Sequence, residues 1–131
     1  MSLVQGPSGR PVEGLPPAEP ADDTQPVCPE CQQRYTRSHP NQLFCSTPHR
    51  DSWNNRAAVR GRVLTPLQMV ARITRNGTRG SPAERATGRQ ASSQLNYLIA
   101  RYRDEDAKAK PPRMAWPAYL ALRYASGFDP L

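Results

Sequence analysis

Along this chain the spacing of apolar residues changes several times, and each change marks a predicted element. Leu95, Leu98, Ile99 and Tyr102 follow Ala91 at i+4, i+7, i+8 and i+11, the period of an amphipathic helix running from about Gln90 to the break at Pro111-Pro112. Tyr119, Leu120 and Tyr124 mark a last helix over about Trp116 to Ser126, ended by Gly127. Upstream, Trp53 and Ala57 share a side of a predicted helix from about Pro48 to Arg62, and Leu64 continues that side beyond it. Leu67, Val70, Ala71 and Ile73 form the apolar side of a new or kinked helix from Pro66 to Arg75. Ser46 or Thr47 can cap the first of these, with Pro48 at the first helical position. Arg34-Tyr35 and Leu43-Phe44 could pair as short strands around the turn Ser38-His39-Pro40-Asn41.

Two stretches lack any period. Residues 1–26 hold six prolines and little apolar surface, a composition that cannot offset ordering entropy, so a disordered Pro-rich tail is predicted there. Residues 76–88, rich in Gly, Ser, Thr and Pro, read as a mobile basic linker. The predicted organisation is tail (1–26), ligand-bearing module (27–75), linker (76–88) and C-terminal helical pair (89–131), a small, mainly α fold.

Composition sharpens this picture. Fifteen prolines and only 37% apolar residues in 131 leave a thin core, which favours a metal staple. The net charge of +7 is uneven. Residues 1–27 carry one Arg against four acids, residues 28–103 thirteen Arg and no Lys against three acids, and residues 104–131 balance four against four. Arginine's planar fork suits phosphate and carboxylate, so a polyanionic partner is expected. No apolar run is long enough to span a membrane and no secretory leader is visible, which predicts a cytoplasmic protein with no membrane partner.

The chemistry lies in Cys28-Pro29-Glu30-Cys31, with Cys45 and His49 following at the predicted helix start. These are the only cysteines, so no disulfide framework remains, in keeping with a reducing compartment. Thiolate and imidazole are preferred zinc ligands, and four protein ligands close the sphere, so one structural Zn²⁺ is expected on Cys28, Cys31, Cys45 and His49. His39, in the turn nearby, could replace His49 as fourth ligand. Knuckle, short hairpin and ligand helix together make a treble-clef-like zinc finger. Arg50, Arg56, Arg60 and Arg62, with Asn54 and Asn55 among them, would stud the ligand helix with groups suited to phosphate and base edges, against the plainer reading of a solvated arginine face. An open zinc position with a general base, or a His-x-Glu ahead of the Cys-x-x-Cys, is missing from the sequence, so no enzyme activity is expected.

The segment Leu43-Phe44-Cys45-Ser46-Thr47-Pro48-His49-Arg50-Asp51-Ser52-Trp53-Asn54-Asn55-Arg56, after Cys28-Pro29-Glu30-Cys31, resembles short bacterial and prophage zinc-finger proteins of mostly unassigned function. More distantly it is similar to the small gyrase-inhibitor zinc fingers, but His49 replaces their last cysteine and their acidic Leu-Gly-Trp continuation is missing. The resemblance implies zinc ligation. The expected function is a non-catalytic, zinc-dependent nucleic-acid binder of phage or mobile-element origin, with DNA preferred to RNA. The alternative is an adaptor or inhibitor docking on a protein of DNA metabolism through Leu98, Tyr102, Trp116 and Tyr119.

Overall fold

The computed structural model describes residues 24–127, so most of the tail predicted over 1–26 lies outside the described residues. Three helices follow a compact, largely irregular module: α1 (Thr47–Ile73), α2 (Pro82–Lys108) and α3 (Trp116–Ala125). The chain is a small, mainly α protein with its cysteine–histidine cluster ahead of and at the start of α1.

Helix α1 starts as its sequence dictates. The Ser46 hydroxyl accepts from the His49 N–H at 3.3 Å, and a proline occupies the first turn. It does not end near Arg62, however. The helix runs on through Pro66 for 27 residues, about 40 Å. Pro66 cannot donate to the carbonyl four residues back, but it lies on an exposed face where water can take that carbonyl, and the Thr65 hydroxyl donates to Gly61 O at 2.6 Å. Of the two expectations, a new helix or a kinked one, the new helix is not formed: α1 is continuous through Pro66.

The turn after α1 is fixed by Thr74. Its carbonyl accepts from the N–H groups of Thr78 and Arg79, both at 2.8 Å, and its hydroxyl accepts from Gly77 N–H at 3.1 Å. Arg75, Asn76 and Gly77 are all left-handed (φ 47°, 59° and 87°). The predicted linker over 76–88 is thus a short ordered turn, and α2 begins at Pro82 rather than Gln90. Ser81 and Glu84 form a capping box: Glu84 N–H donates to the Ser81 hydroxyl at 3.1 Å, and Ser81 N–H donates to the Glu84 carboxylate at 2.7 Å.

The two long helices pack as an antiparallel hairpin. The less exposed positions, Trp53, Arg60, Leu64, Leu67 and Ala71 on α1 and Gly88, Ala91, Leu95, Leu98 and Tyr102 on α2, recur at the three- and four-residue steps of a coiled coil. At the turn end these residues are small. A Cβ on Gly88 would lie 2.7 Å from the Thr74 Cβ, so only glycine permits this approach. At the other end α3 returns over the ligand module, where Trp53 packs between Phe44, Trp116 and Tyr119, with ring centroids 6.0, 5.0 and 4.7 Å away.

The predicted hairpin of Arg34-Tyr35 with Leu43-Phe44 is not formed. Among the described residues the only isolated bridge joins Val27 to Arg34. Gln42 occupies the groups a second strand would need: its side chain accepts from Ser38 N–H and donates to Phe44 O, both at 2.7 Å, while its carbonyl accepts from the Tyr35 hydroxyl at 2.9 Å.

Candidate metal centre

Cys28 and Cys31 are positioned by a tight knuckle in which Gln32 N–H donates to Cys28 O at 2.7 Å and Cys28 N–H to Gln33 O at 2.9 Å, with Gln32 left-handed at φ 57°. Cys45 immediately precedes the Ser46 cap, and His49 lies in the first turn of α1. The cap thus fixes the second pair of ligands relative to each other. The three sulfurs and one histidine nitrogen lie within 4.8 Å of one another. Cys31 Sγ to Cys45 Sγ is 3.8 Å, Cys28 Sγ to His49 Nδ1 is 3.8 Å and Cys45 Sγ to His49 Nδ1 is 3.1 Å. Sulfurs tetrahedrally placed at the usual zinc–sulfur length of about 2.3 Å would be about 3.8 Å apart. His39 is exposed in its turn and outside this group, so the histidine in the cluster is His49.

The electrostatics favour a cation. Burial pushes the Cys31 thiol up to about 12, reinforced by the neighbouring Cys28, so a thiolate there needs a positive partner. Burial also opposes ionisation of Cys28, but backbone hydrogen bonds from Cys45 and Cys31 and the His49 ring bring its pKa below the ordinary thiol value. Cys28 and Cys31 are buried beside Tyr35, Phe44 and Trp53. A group of three sulfurs and one imidazole at these distances could hold one divalent ion and would leave no protein ligand position open.

Beyond the ligands lies a cluster of charges that the sequence did not signal. Glu30, between the knuckle cysteines, pairs with Arg56 at 2.5 Å and approaches Arg113 at 4.0 Å. Asp106, buried on α2, accepts from Arg60 and Arg113, both at 2.9 Å, and from the Trp116 indole N–H at 3.1 Å. Glu105 adds a second contact to Arg60 at 3.2 Å. Burial alone would raise the Asp106 carboxyl, but the hydrogen bonds from Arg60 and Arg113 hold it below the usual aspartate value. Burial would likewise disfavour the Arg60 cation, and Asp106 and Glu105 more than compensate. Two further bonds complete the closure: Met114 N–H donates to Pro29 O at 2.9 Å, and the Gln32 side-chain amide donates to Pro112 O at 3.0 Å.

This arrangement separates the predicted nucleic-acid contacts into two groups. Arg60 is buried and Arg56 is mostly covered, its guanidinium 5.6 Å from the Trp53 ring. Both act as internal ties, so neither is placed as a free surface cation. Arg50, Asn54, Asn55 and Arg62 are exposed, with Arg50 paired to Asp51 at 3.3 Å. Of the residues offered for partner docking, Tyr102 lies under Arg60 at 4.7 Å and Tyr119 against Trp53, while Trp116 is 38% exposed.

No protein-family profile, curated protein or solved structure matches this chain. The likeness to bacterial zinc fingers therefore rests on the ligands and their neighbours alone. Among the described residues no helix is long and apolar enough to cross a membrane.

Proposed function

We propose that this protein is a non-catalytic nucleic-acid-binding module organised by one structural zinc ion on Cys28, Cys31, Cys45 and His49, a treble-clef-like centre that has lost its hairpin. The ion would neutralise buried thiolates and join the knuckle to the first turn of α1. A closed set of four protein ligands supports a structural rather than a catalytic role. The observation that carries the nucleic-acid reading is the charge of the hairpin between its acidic ends: apart from the internally tied Arg56 and Arg60, residues 52–103 contain eight arginines and a single acid, Glu84. Such a surface attracts polyanions, and a nucleic-acid backbone presents its phosphates as a closely spaced row of charges.

The test is direct. Zinc-loaded protein purified at low salt should carry nucleic acid and release it at high salt, with the log of affinity falling linearly against the log of salt concentration. Binding that stays flat across that range would end this reading. The second reading, a protein-binding adaptor or inhibitor, is favoured by the exposure of Trp116 and Leu120, one turn apart on α3. It requires that Leu120→Ser abolish partner capture without changing the salt dependence.

A further inference from the structure

We infer that the surface gripping nucleic acid is the turn end of the α1–α2 hairpin, where Arg72, Arg75, Arg79, Arg85 and Arg89 hold the phosphate backbone of a duplex. This rests on the nucleic-acid reading above, but it moves the contact from the start of the ligand helix to the far end of α1, about 36 Å from His49 along the helix axis.

Four observations carry the assignment. First, these arginines lack carboxylate partners among the described residues, whereas Arg56, Arg60 and Arg113 at the metal end all have them. Second, the one nearby acid is occupied. The Glu84 carboxylate accepts from Ser81 N–H at 2.7 Å as the helix cap and forms no ion pair with these arginines. Third, the positions are fixed. Arg85 donates to Gly80 O at 2.6 Å and Arg89 to Gly77 O at 3.3 Å, while Arg72, Arg75 and Arg79 are exposed around a turn locked by Thr74.

Fourth, the sequence around the tip specifies which polyanion. No Phe, Tyr, Trp or His occurs between Asn54 and Asn96, so the tip offers no platform for stacking unpaired bases. Two packed helices, about 8–10 Å between axes before side chains are counted, are also too broad to enter a major groove about 12 Å wide. What remains is contact with phosphates on the duplex exterior, independent of base sequence.

The experiment uses the full, zinc-loaded chain and a labelled random-sequence 20-base-pair DNA duplex, with binding followed by fluorescence anisotropy from about 50 to 200 mM salt. The variant is Arg72→Gln/Arg75→Gly/Arg79→Gln. It spares Arg85 and Arg89, which hold the turn, and glycine accepts the left-handed backbone at 75 without strain. Each lost phosphate contact reduces the log–log slope by about 0.9, so this triple change should flatten it by about 2.7 while thermal melting and zinc content stay unchanged. Arg50→Gln/Arg62→Gln, on the ligand-bearing part of α1, should leave the slope close to wild type.

An unaltered slope in the tip variant, with the loss appearing instead in the Arg50/Arg62 variant, would overturn the tip assignment and leave the nucleic-acid reading standing. Wild-type protein that binds no duplex at any salt would sink both. A single-stranded thymidine 20-mer bound more tightly than the duplex, or polyglutamate bound as tightly, would refute the duplex backbone as the ligand.

Discussion

At the metal end of the hairpin, three arginines (Arg56, Arg60 and Arg113) meet three carboxylates (Glu30, Glu105 and Asp106), and aromatic rings seal the space around them. At the turn end, five arginines surround a tip built from Thr74, Gly77, Gly88 and Ala91, and the only acid there serves the helix cap. One residue type thus does opposite work at the two ends. Arginine is an internal tie where a carboxylate comes to it from another element, and a surface cation where none does. Charge counted along the sequence cannot tell these apart, because the partners of Arg60 lie 45 and 46 residues away.

The largest contrast should come from the metal. Structural zinc contributes roughly 10–16 kcal/mol of apparent free energy, more than the net stability of most domains. Chelation, or Cys45→Ser, should therefore abolish the near-ultraviolet circular dichroism of the Trp53 and Trp116 cluster. A variant without stoichiometric metal that kept this signal would remove the metal from its organising role.

Next is Asp106. Replacing it with alanine leaves Arg60 buried beside only the half-exposed Glu105, and breaking such a pair costs about 3–5 kcal/mol, readable as a lower urea midpoint. Its pH dependence follows from the depressed carboxyl. The folded value lies below the ordinary 3.8, so the contribution is fully present above that pH and fades as pH falls through the folded value. Wild type minus Asp106→Asn should therefore show a stability difference that shrinks only below about pH 4. Using the difference cancels the protonation of the metal ligands, provided both proteins carry equal metal. A gap that persisted undiminished in acid would contradict the ion-pair account.

The turn end should respond more weakly. Gly88→Ala forces the helices apart at Thr74, and overpacking of this kind costs about 1–3 kcal/mol, measurable by thermal melting without loss of metal. Ser81→Ala removes one half of the capping box, for about 1 kcal/mol. If either change released the metal, the two ends would not be independent in the way their contacts indicate.

The sequence disclosed the local features of this molecule more readily than its long-range ones. Cys28, Cys31, Cys45, His49 and the Ser46 cap follow from short-range spacing, and the structure brings these four ligands together. The last helix ends within a residue of its predicted stop for the same reason. The start of α2 was legible too, because Ser81-Pro82-Ala83-Glu84 carries a capping-box signature, but the loop-like composition around it outweighed that signal. Whether Pro66 starts a new helix or lies within a continuing one was not legible, since that depends on which face of α1 reaches solvent. Glu30 read as a mere spacer between cysteines. Its role emerges only when Arg56 and Arg113, from different elements, converge on it.

That convergence has a consequence for how the protein is made. All four residues of the cysteine–histidine group lie within residues 28–49 and leave the ribosome early, whereas the groups that close over this end, Met114 on Pro29 and Trp116 and Tyr119 on Trp53, are translated more than sixty residues later. An ion taken up by this group during synthesis would have one flank bare until α3 arrives.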